Sequence, residues 1–214
     1  MRILLVVSAP AYMSPSTRDS NYLNTLKKSG LNIPSFDIEN ESVYLDVARP
    51  FARRARDLFQ GCFKKVMEGV RIARDQGIKI DVFLLTPRYG LIKEDEFILP
   101  HSVDMGFMKK KDLQILREKL KISEKLSTIL KESYDLFILI LKKDHVPLIF
   151  ADEKSLNNLA GAAPKVVLVS APSLAGKFGE PIKFVGIKQI GKRAEAFVKL
   201  VDSLTTKTLN DYLK

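Results

Sequence analysis

Short runs of consecutive apolar residues recur along this chain at wide intervals. They form the centres of four predicted strands, which cover residues 2–7, 80–86, 134–141 and 165–170. Each run has the length of a strand and is apolar on successive positions, which is typical of strands buried on both faces of a parallel sheet. The segment 181–187 predicts a short fifth strand.

Between these runs, apolar residues recur every three or four positions, which predicts amphipathic helices. Helices are expected from 50 toward 77, over 111–131, around 153–159 and over 189–212. Because parallel strands need crossover connections, the alternation predicts one α/β domain over the whole chain. We expect a three-layer α/β/α arrangement with a mainly parallel sheet of four to five strands.

The stretch 11–47 has weak periodicity and many Ser, Asn, Pro and Asp residues, which predicts a long connection of the kind that is often functional. No apolar run approaches the roughly 18 residues of a membrane span. The first run is also too short for the core of a signal peptide. We therefore expect a cytoplasmic protein with no membrane partner.

Composition adds a charge imbalance to this picture. The 214 residues include 35 Lys and Arg against 25 Asp and Glu, a net charge of +10. Such a balance favours polyanionic partners, nucleic acid first, although a solvated lysine-rich surface explains it equally simply. The single cysteine, Cys62, excludes an intrachain disulfide and a thiolate zinc site, which need several sulfurs.

Common catalytic motifs are missing from the sequence. It has no phosphate-binding P-loop, no G-x-G-x-x-G after the first strand, no G-x-S-x-G and no H-E-x-x-H. The two histidines, His101 and His145, have no carboxylate or cysteine at the spacing of metal ligands. No cofactor or metal is expected, and whether the protein is an enzyme stays open.

The loops that follow the predicted strands hold the candidate chemistry, because the carboxyl ends of parallel strands meet at one edge of a sheet. The loops begin at Ser8, Pro87, Lys142 and Ser170, and a base is expected to stack near Tyr89 between the Ser8 and Ser170 loops. Glu94, Asp95 and the two histidines are expected in the same pocket. The candidate catalytic residues are Ser8, Tyr89, Asp104 and Lys143.

Cations near these loops and on the first long helix are candidates for phosphate binding. They are Arg53, Arg56, Arg88, Lys109, Lys110, Lys111 and Lys177. Each candidate also has an ordinary structural interpretation: Tyr89 packs under a turn, Asp104 caps one, and the lysines are simply solvated.

Two segments carry a family resemblance. Residues 84–92 read Leu-Leu-Thr-Pro-Arg-Tyr-Gly-Leu-Ile, and 98–106 read Ile-Leu-Pro-His-Ser-Val-Asp-Met-Gly. This strand, Tyr-Gly turn and acidic segment resembles the YaaA-type peroxide-stress proteins and the core domain of archaeosine synthase and relatives of tRNA-guanine transglycosylase. The early segment 7–15 is similar to the first loop of the YaaA type.

The resemblance implies a fold like that of uracil-DNA glycosylase, a four-stranded parallel sheet flanked by helices. The loop 170–174 is similar to the His-Pro-Ser-Pro-Leu loop of glycosylases, with Ser170 where their histidine stands. Val7-Ser8-Ala9 stands where archaeosine synthase has its Pro-Cys-Ser motif. The resemblance therefore implies the fold and not a particular reaction.

The leading hypothesis is a nucleic-acid-binding protein, with tRNA or DNA as partner, in tRNA base modification or in the response to DNA damage or oxidative stress. One alternative is an enzyme acting on a nucleotide or phosphorylated metabolite, with Ser8, Asp104 and Lys143 in its pocket. Another is a non-catalytic subunit that acts with a protein partner in a modification complex.

Overall fold

A computed structural model of the chain describes residues 1–103, 105, 108–150, 165–180 and 182–206. Its strands are β1 (Arg2–Ser8), β2 (Arg53–Arg54), β3 (Lys79–Thr86), β4 (Gly90–Lys93), β5 (Phe97–Ile98), β6 (Leu136–Ile140), β7 (Val166–Ser170) and β8 (Ile182–Gly186). Six of them form the central sheet, in the order β4-β3-β1-β6-β7-β8, while β2 and β5 pair with each other.

The sheet is parallel except at one edge, where β4 runs antiparallel to β3. The predicted α/β class with a mainly parallel sheet is confirmed, but the sheet has six strands and not four to five. The additional strand is β4, which begins at Gly90, where a positive φ of 69° turns the chain back along β3. The sequence prediction placed this short segment in a loop.

Eight α-helices lie in the described ranges. They are α1 (Ser20–Lys28), α2 (Glu41–Ala48), α3 (Ala55–Leu58), α4 (Cys62–Asp75), α5 (Lys110–Lys119), α6 (Ile122–Ile129), α7 (Val146–Ile149) and α8 (Ile190–Thr206). Short 3-10 turns occupy Ile38–Asn40, Arg49–Phe51, Lys143–His145 and Pro172–Leu174. None of these helices is long and apolar enough to cross a membrane.

The prediction of one continuous helix from 50 toward 77 is wrong. The chain makes the 3-10 turn, then β2, then α3, and α4 starts only after Gly61, whose φ is 70°. Pairing of β2 with β5 fixes Arg53 and Arg54 in an extended conformation. A tertiary contact therefore overrides the helical spacing of this segment.

Three other predicted boundaries change. The helix over 111–131 is split into α5 and α6 at Lys121, which has the positive φ of 51°. The predicted connection over 11–47 contains α1 and all of α2 except its last residue, Ala48. The helix expected around 153–159 and residues 207–212 of the C-terminal helix lie outside the described residues.

Apolar side chains pack on both faces of the sheet. On one face Ile3, Leu5 and Val7 pack with α4 and α8, and on the other Leu4 and Val6 pack with α5, α6 and α7. Successive residues of a strand point to opposite faces, which explains the unbroken apolar run of β1. A smaller cluster joins α1 and α2 to Leu99.

Candidate functional site

The strand order creates a crevice at the carboxyl ends of β1 and β6. In the sheet, β3 lies next to β1 on one lateral edge of that strand, and β6, which follows later in the chain, lies next to β1 on its other edge. In doubly wound sheets ligands bind at the point where the strand order reverses in this way. Ser8 ends β1 there, buried, and its Oγ accepts a hydrogen bond from the backbone N–H of Lys142 at 2.9 Å.

A cleft of about 310 Å³ opens beside this point, and we call it the switch-point cleft. Residues of the loop after β1, positions 87, 101–103 and 105, and residues of the turn after β6 line it. Its lining includes the residues Pro10, Met13, His101, Lys142, Asp144 and His145. Three of the four loops expected to meet therefore do so, while the described part of the Ser170 loop does not line the cleft.

His145 is a buried imidazole in the lining, with 2% of its surface exposed. Its Nδ1 has no hydrogen-bond partner among the described residues. Burial lowers the pKa of the ring to about 4, and the nearby Lys142 acts on this pKa in the same direction. Asp144 and a hydrogen bond with the Leu85 backbone favour the charged form, but the ring is neutral at pH 7.

His101 is a second buried imidazole in the same lining. Its Nδ1 lies 3.0 Å from the carbonyl oxygen of Leu99, which can only accept, so Nδ1 carries the proton. Burial lowers the pKa of this ring to about 4. Tyr89 and Phe59 both meet the ring edge-on, with centroids 5.1 and 6.1 Å away.

Lys142 and Lys143 take different positions in the turn after β6. Lys142 is half-buried and lines the cleft, whereas Lys143 is exposed. Burial lowers the pKa of the Lys142 amine, and the neighbouring Asp144 raises it. The sequence analysis selected Lys143 as the candidate catalytic lysine, whereas the lysine that lines the cleft is the preceding one, Lys142.

Tyr89 lies beneath the cleft as a packing residue. Only 9% of it is exposed, and its hydroxyl donates to Glu41 Oε1 at 3.0 Å and accepts from the backbone N–H of Leu99 at 3.2 Å. Burial raises the pKa of the hydroxyl. The ring therefore does not present the open stacking face that the sequence prediction assigned to it.

Arg88 is an internal residue, with 1% of its surface exposed. Its guanidinium donates to Asp37 at 2.7 Å, to Glu41 at 2.6 Å and to the carbonyl of Ser35 at 2.5 Å. Burial opposes ionisation of Asp37, yet hydrogen bonds from Ser35, Tyr44 and Arg88 hold the pKa of its carboxyl well below the usual range. The prediction that Arg88 meets phosphates does not fit this closed network.

The other predicted cations lie at the surface. Those that are exposed are Arg53, Lys109, Lys110, Lys111 and Lys177. Arg53 also donates to the carbonyls of Pro50 and Ala52, at 2.7 and 2.8 Å. Asp104 lies outside the described residues.

A second cleft, of about 440 Å³, is lined by three residues that the sequence analysis assigned to the predicted site. Arg56, Glu94 and Asp95 line it together with Arg2 and Tyr134. Arg2 and Tyr134 flank the amino ends of β1 and β6, so this cleft lies toward the edge of the sheet opposite Ser8. Predicted phosphate binding by Arg56 would therefore occur away from the switch-point cleft.

Two buried polar side chains, Ser170 at the end of β7 and Arg193 in α8, hydrogen-bond backbone carbonyls inside the protein. Ser170 is fully buried, and its hydroxyl donates to the carbonyl of Leu141 at 2.8 Å. Arg193 was missed, because nothing distinguishes it in the sequence from other helical cations. It is buried and donates to the carbonyls of Leu141, Ile187 and Lys188 at 2.8, 2.8 and 3.3 Å.

Sequence reasoning underrated Cys62, Lys142 and His145. Cys62 begins α4 and lines a small pocket with Ser8, Lys142 and Arg193. The signal in the sequence that distinguishes Lys142 from Lys143 is that successive residues of an extended chain after β6 point to opposite faces of the sheet. Within the described ranges, no group of three His, Cys, Asp or Glu side chains is arranged to hold a metal ion.

Comparison with known proteins identifies no family for this chain. No model of a known protein family matches it, and no curated protein sequence matches it. Its function is therefore inferred from the geometry of the switch-point cleft and from the positions of the exposed lysines.

Proposed function

We propose that this protein binds nucleic acid, either tRNA or DNA, and holds one nucleotide in the switch-point cleft. The observation that carries the proposal is the cleft itself, at the edge of the sheet where doubly wound proteins bind ligands. Its lining combines apolar contacts from Pro10 and Met13 with the polar groups of His101, Lys142 and His145. This mixture suits a nucleobase with an attached phosphate.

Exposed cations lie on the chain segments that border the cleft. Lys143 directly follows Lys142, and α5 begins at Lys110, shortly after the lining residue Met105. Lys177 is exposed too, but on the Ser170 loop, whose described part does not line the cleft. Lys109 to Lys111 are all exposed. Lysines in such positions neutralise backbone phosphates while a nucleotide enters the cleft.

The finer fold assignment is part of this proposal. A mainly parallel sheet with helices packed on both faces is consistent with the three-layer, uracil-DNA-glycosylase-like class that the sequence resemblance implies. The same resemblance supports a role in tRNA base modification or in the response to DNA damage or oxidative stress, in the cytoplasm as the short apolar runs predict. In such a role Lys142 lies beside the bound nucleotide, with the base against His101 and not on Tyr89, while Ser8 lines the small neighbouring pocket.

The test is binding of labelled tRNA, duplex DNA and single-stranded DNA at about 50 and about 200 mM salt. We expect one polymer to be preferred at both salt concentrations. The double variant Lys110→Ala/Lys111→Ala should bind more weakly and lower the logarithmic salt slope by about 1.8 for duplex DNA.

A matched control removes the same charge from the opposite edge of the sheet. Lys79, at the amino end of β3, and Lys131, which precedes β6, are both exposed. Lys79→Ala/Lys131→Ala should leave affinity and salt slope close to those of the unaltered protein. Equal effects of the two double variants, or no binding to any polymer, would rule out the proposed interface.

An enzyme acting on a free nucleotide or phosphorylated metabolite is the second candidate. Two observations favour it: the cleft holds only about 310 Å³, and burial lowers the pKa of the Lys142 amine, as is common for catalytic lysines. Binding of a mononucleotide that depends weakly on salt, with no binding to polymers, would select this function.

A further inference from the structure

The most exposed large apolar side chain among the described residues is that of Tyr12, with 76% of its surface accessible. It belongs to the loop after β1, where its neighbours Ala11 and Met13 line the switch-point cleft and Tyr12 itself does not. The ring lies near Gly61, where an added Cβ would be 3.9 Å from Cδ2 of the tyrosine. Tyr12 therefore stands on the rim, outside the cleft and open to solvent.

The backbone that carries this ring is fixed to the protein core. The carbonyl of Tyr12 accepts a hydrogen bond from the backbone N–H of Gln60 at 3.0 Å. Two positions later, the N–H of Ser14 donates to the carbonyl of the fully buried Leu58 at 2.8 Å. A ring on an anchored backbone loses less conformational entropy on binding a ligand than a ring on a mobile loop, so Tyr12 is preorganised for contact.

The ring of Tyr12 has no structural use within the described part of the chain. Its hydroxyl makes no hydrogen bond there, and no other aromatic ring packs on it. Single exposed apolar side chains are common on protein surfaces, so exposure alone does not define a site. A ring that is exposed, anchored and adjacent to a cleft has the features of a platform on which a nucleobase stacks.

The charges on the two segments that carry and hold the ring are all positive. Residues 8–18 and 58–64 contain Arg18 and Lys64 and no Asp or Glu. Both cations are exposed. A nucleic-acid strand combines aromatic faces with the phosphates that such cations attract. Because the bases of a duplex are stacked on one another and paired, an accessible aromatic face requires an unpaired base.

We propose that Tyr12 is a stacking platform at the rim of the switch-point cleft, and that it binds the unpaired base next to the nucleotide held in the cleft. The inference rests on the proposed function, because it takes the partner to be nucleic acid. It narrows that partner to single-stranded DNA or to the unpaired loops and ends of tRNA. Every base has an aromatic face, so Tyr12 contributes affinity and not a choice of base.

Alanine at position 12 tests how much the ring contributes to affinity. Tyr12→Ala should weaken binding of labelled single-stranded DNA and tRNA about 5-fold to 150-fold, the effect of losing one stacked base. Tyr12→Phe keeps the ring and should bind like the unaltered protein. The matched control is Phe97→Ala, because Phe97 is 63% exposed on β5 and does not line the cleft. Its affinities should be unchanged.

A fluorescent reporter tests for stacking directly. The chain contains no tryptophan, so Tyr12→Trp introduces a single indole that is excited apart from the tyrosines. Single-stranded DNA and tRNA should quench its emission, since a stacked base lies in contact with the ring. Phe97→Trp, at the control position, should keep its emission. The reporter also decides the question if circular dichroism shows that Tyr12→Ala is unfolded.

Failure of this inference is distinguishable from failure of the proposed function. Undiminished affinity of Tyr12→Ala, equal losses in Tyr12→Ala and Phe97→Ala, or binding of duplex DNA alone would overturn stacking on Tyr12 and leave nucleic-acid binding in place. Equal emission changes of the two tryptophan reporters in the bound complexes would do the same. Absence of binding to every polymer would overturn both.

Discussion

The hydroxyl of Tyr89 is joined to the carboxylate of Glu41 by a 3.0 Å hydrogen bond across 48 positions of the chain. The same carboxylate accepts from Arg88 at 2.6 Å. Through these bonds α2 is held against the turn after β3. The Tyr89 ring in this turn packs edge-on against His101. The position of one wall of the switch-point cleft therefore depends on a segment that does not line it.

Removal of the buried guanidinium should destabilise the fold strongly. Arg88→Met leaves Asp37 and Glu41 without their cation, and breaking a buried ion pair on one side costs about 3–5 kcal/mol. Urea denaturation measures the change in the free energy of unfolding. The control is Arg71→Ala, which removes an exposed pair with Asp75 and should change the free energy by less than about 1 kcal/mol. Similar values for the two variants would show that the Arg88 network is not a stabilising feature.

Loss of the Tyr89 hydroxyl should have a smaller effect on stability. In Tyr89→Phe the buried N–H of Leu99 and the carboxylate of Glu41 each lose a partner, at a cost of about 1–3 kcal/mol. Tyr12→Phe serves as the control, because Tyr12 is 76% exposed. Thermal unfolding of both variants measures the difference, and an unchanged melting temperature for Tyr89→Phe would contradict the assigned contacts.

The protein should lose stability as the pH is lowered from about 6.5 toward 4. Burial lowers the pKa of both His101 and His145 from 6.5 to about 4. Between these values the unfolded chain binds protons that the folded chain does not, so acidification favours unfolding. Each histidine contributes up to about 1.4 kcal/mol per pH unit in this window.

Denaturation at pH 7.5, 6.0 and 5.0 measures this slope above the range in which carboxylates titrate. His145→Phe should show a shallower slope than the unaltered protein. A slope that stays the same in the variant would mean that His145 does not titrate as a buried group.

Alanine substitutions at two glycines with positive φ distinguish the cost of backbone strain from the cost of steric crowding. Gly77 has a φ of 80° and open space where a Cβ would lie, so Gly77→Ala should cost only the backbone penalty of about 1–2 kcal/mol. At Gly90, φ is 69°, and a Cβ would lie 3.1 Å from both Cβ and O of Leu120. Gly90→Ala should therefore cost about 1–3 kcal/mol more than Gly77→Ala. Urea denaturation of both variants makes the comparison, and equal losses would mean that the end of α5 yields without strain.

The strands of the parallel sheet were predictable from sequence, because residues buried on both faces of a sheet leave unbroken apolar runs such as 3–7 and 166–169. Helix boundaries were harder to predict. The break at Lys121 depends on a left-handed backbone, and the break at Arg53 depends on pairing with β5, neither of which appears in apolar spacing.

Only the location of the site was predictable from the sequence, and the environments of its residues were not. The rule for carboxyl ends of strands located Ser8 and the turn after β6 correctly at one edge. It gave no account of Tyr89 and Arg88, whose environment is decided by Glu41 and Asp37, about 50 positions away in sequence. Long-range partners of this kind decide whether an aromatic or a cation is exposed, and a single sequence does not name them.

The central position of β1 has a consequence for synthesis of the chain. Its two neighbours are β3 and β6, so Leu5 pairs with both Val82 and Ile138. At translation rates of about 5–20 residues per second, β6 leaves the ribosome roughly 6–25 s after β1. During that interval one of the most apolar segments of the protein has an unpaired edge. We therefore expect the nascent chain to be most prone to incorrect strand pairing in the interval between the emergence of β1 and that of β6.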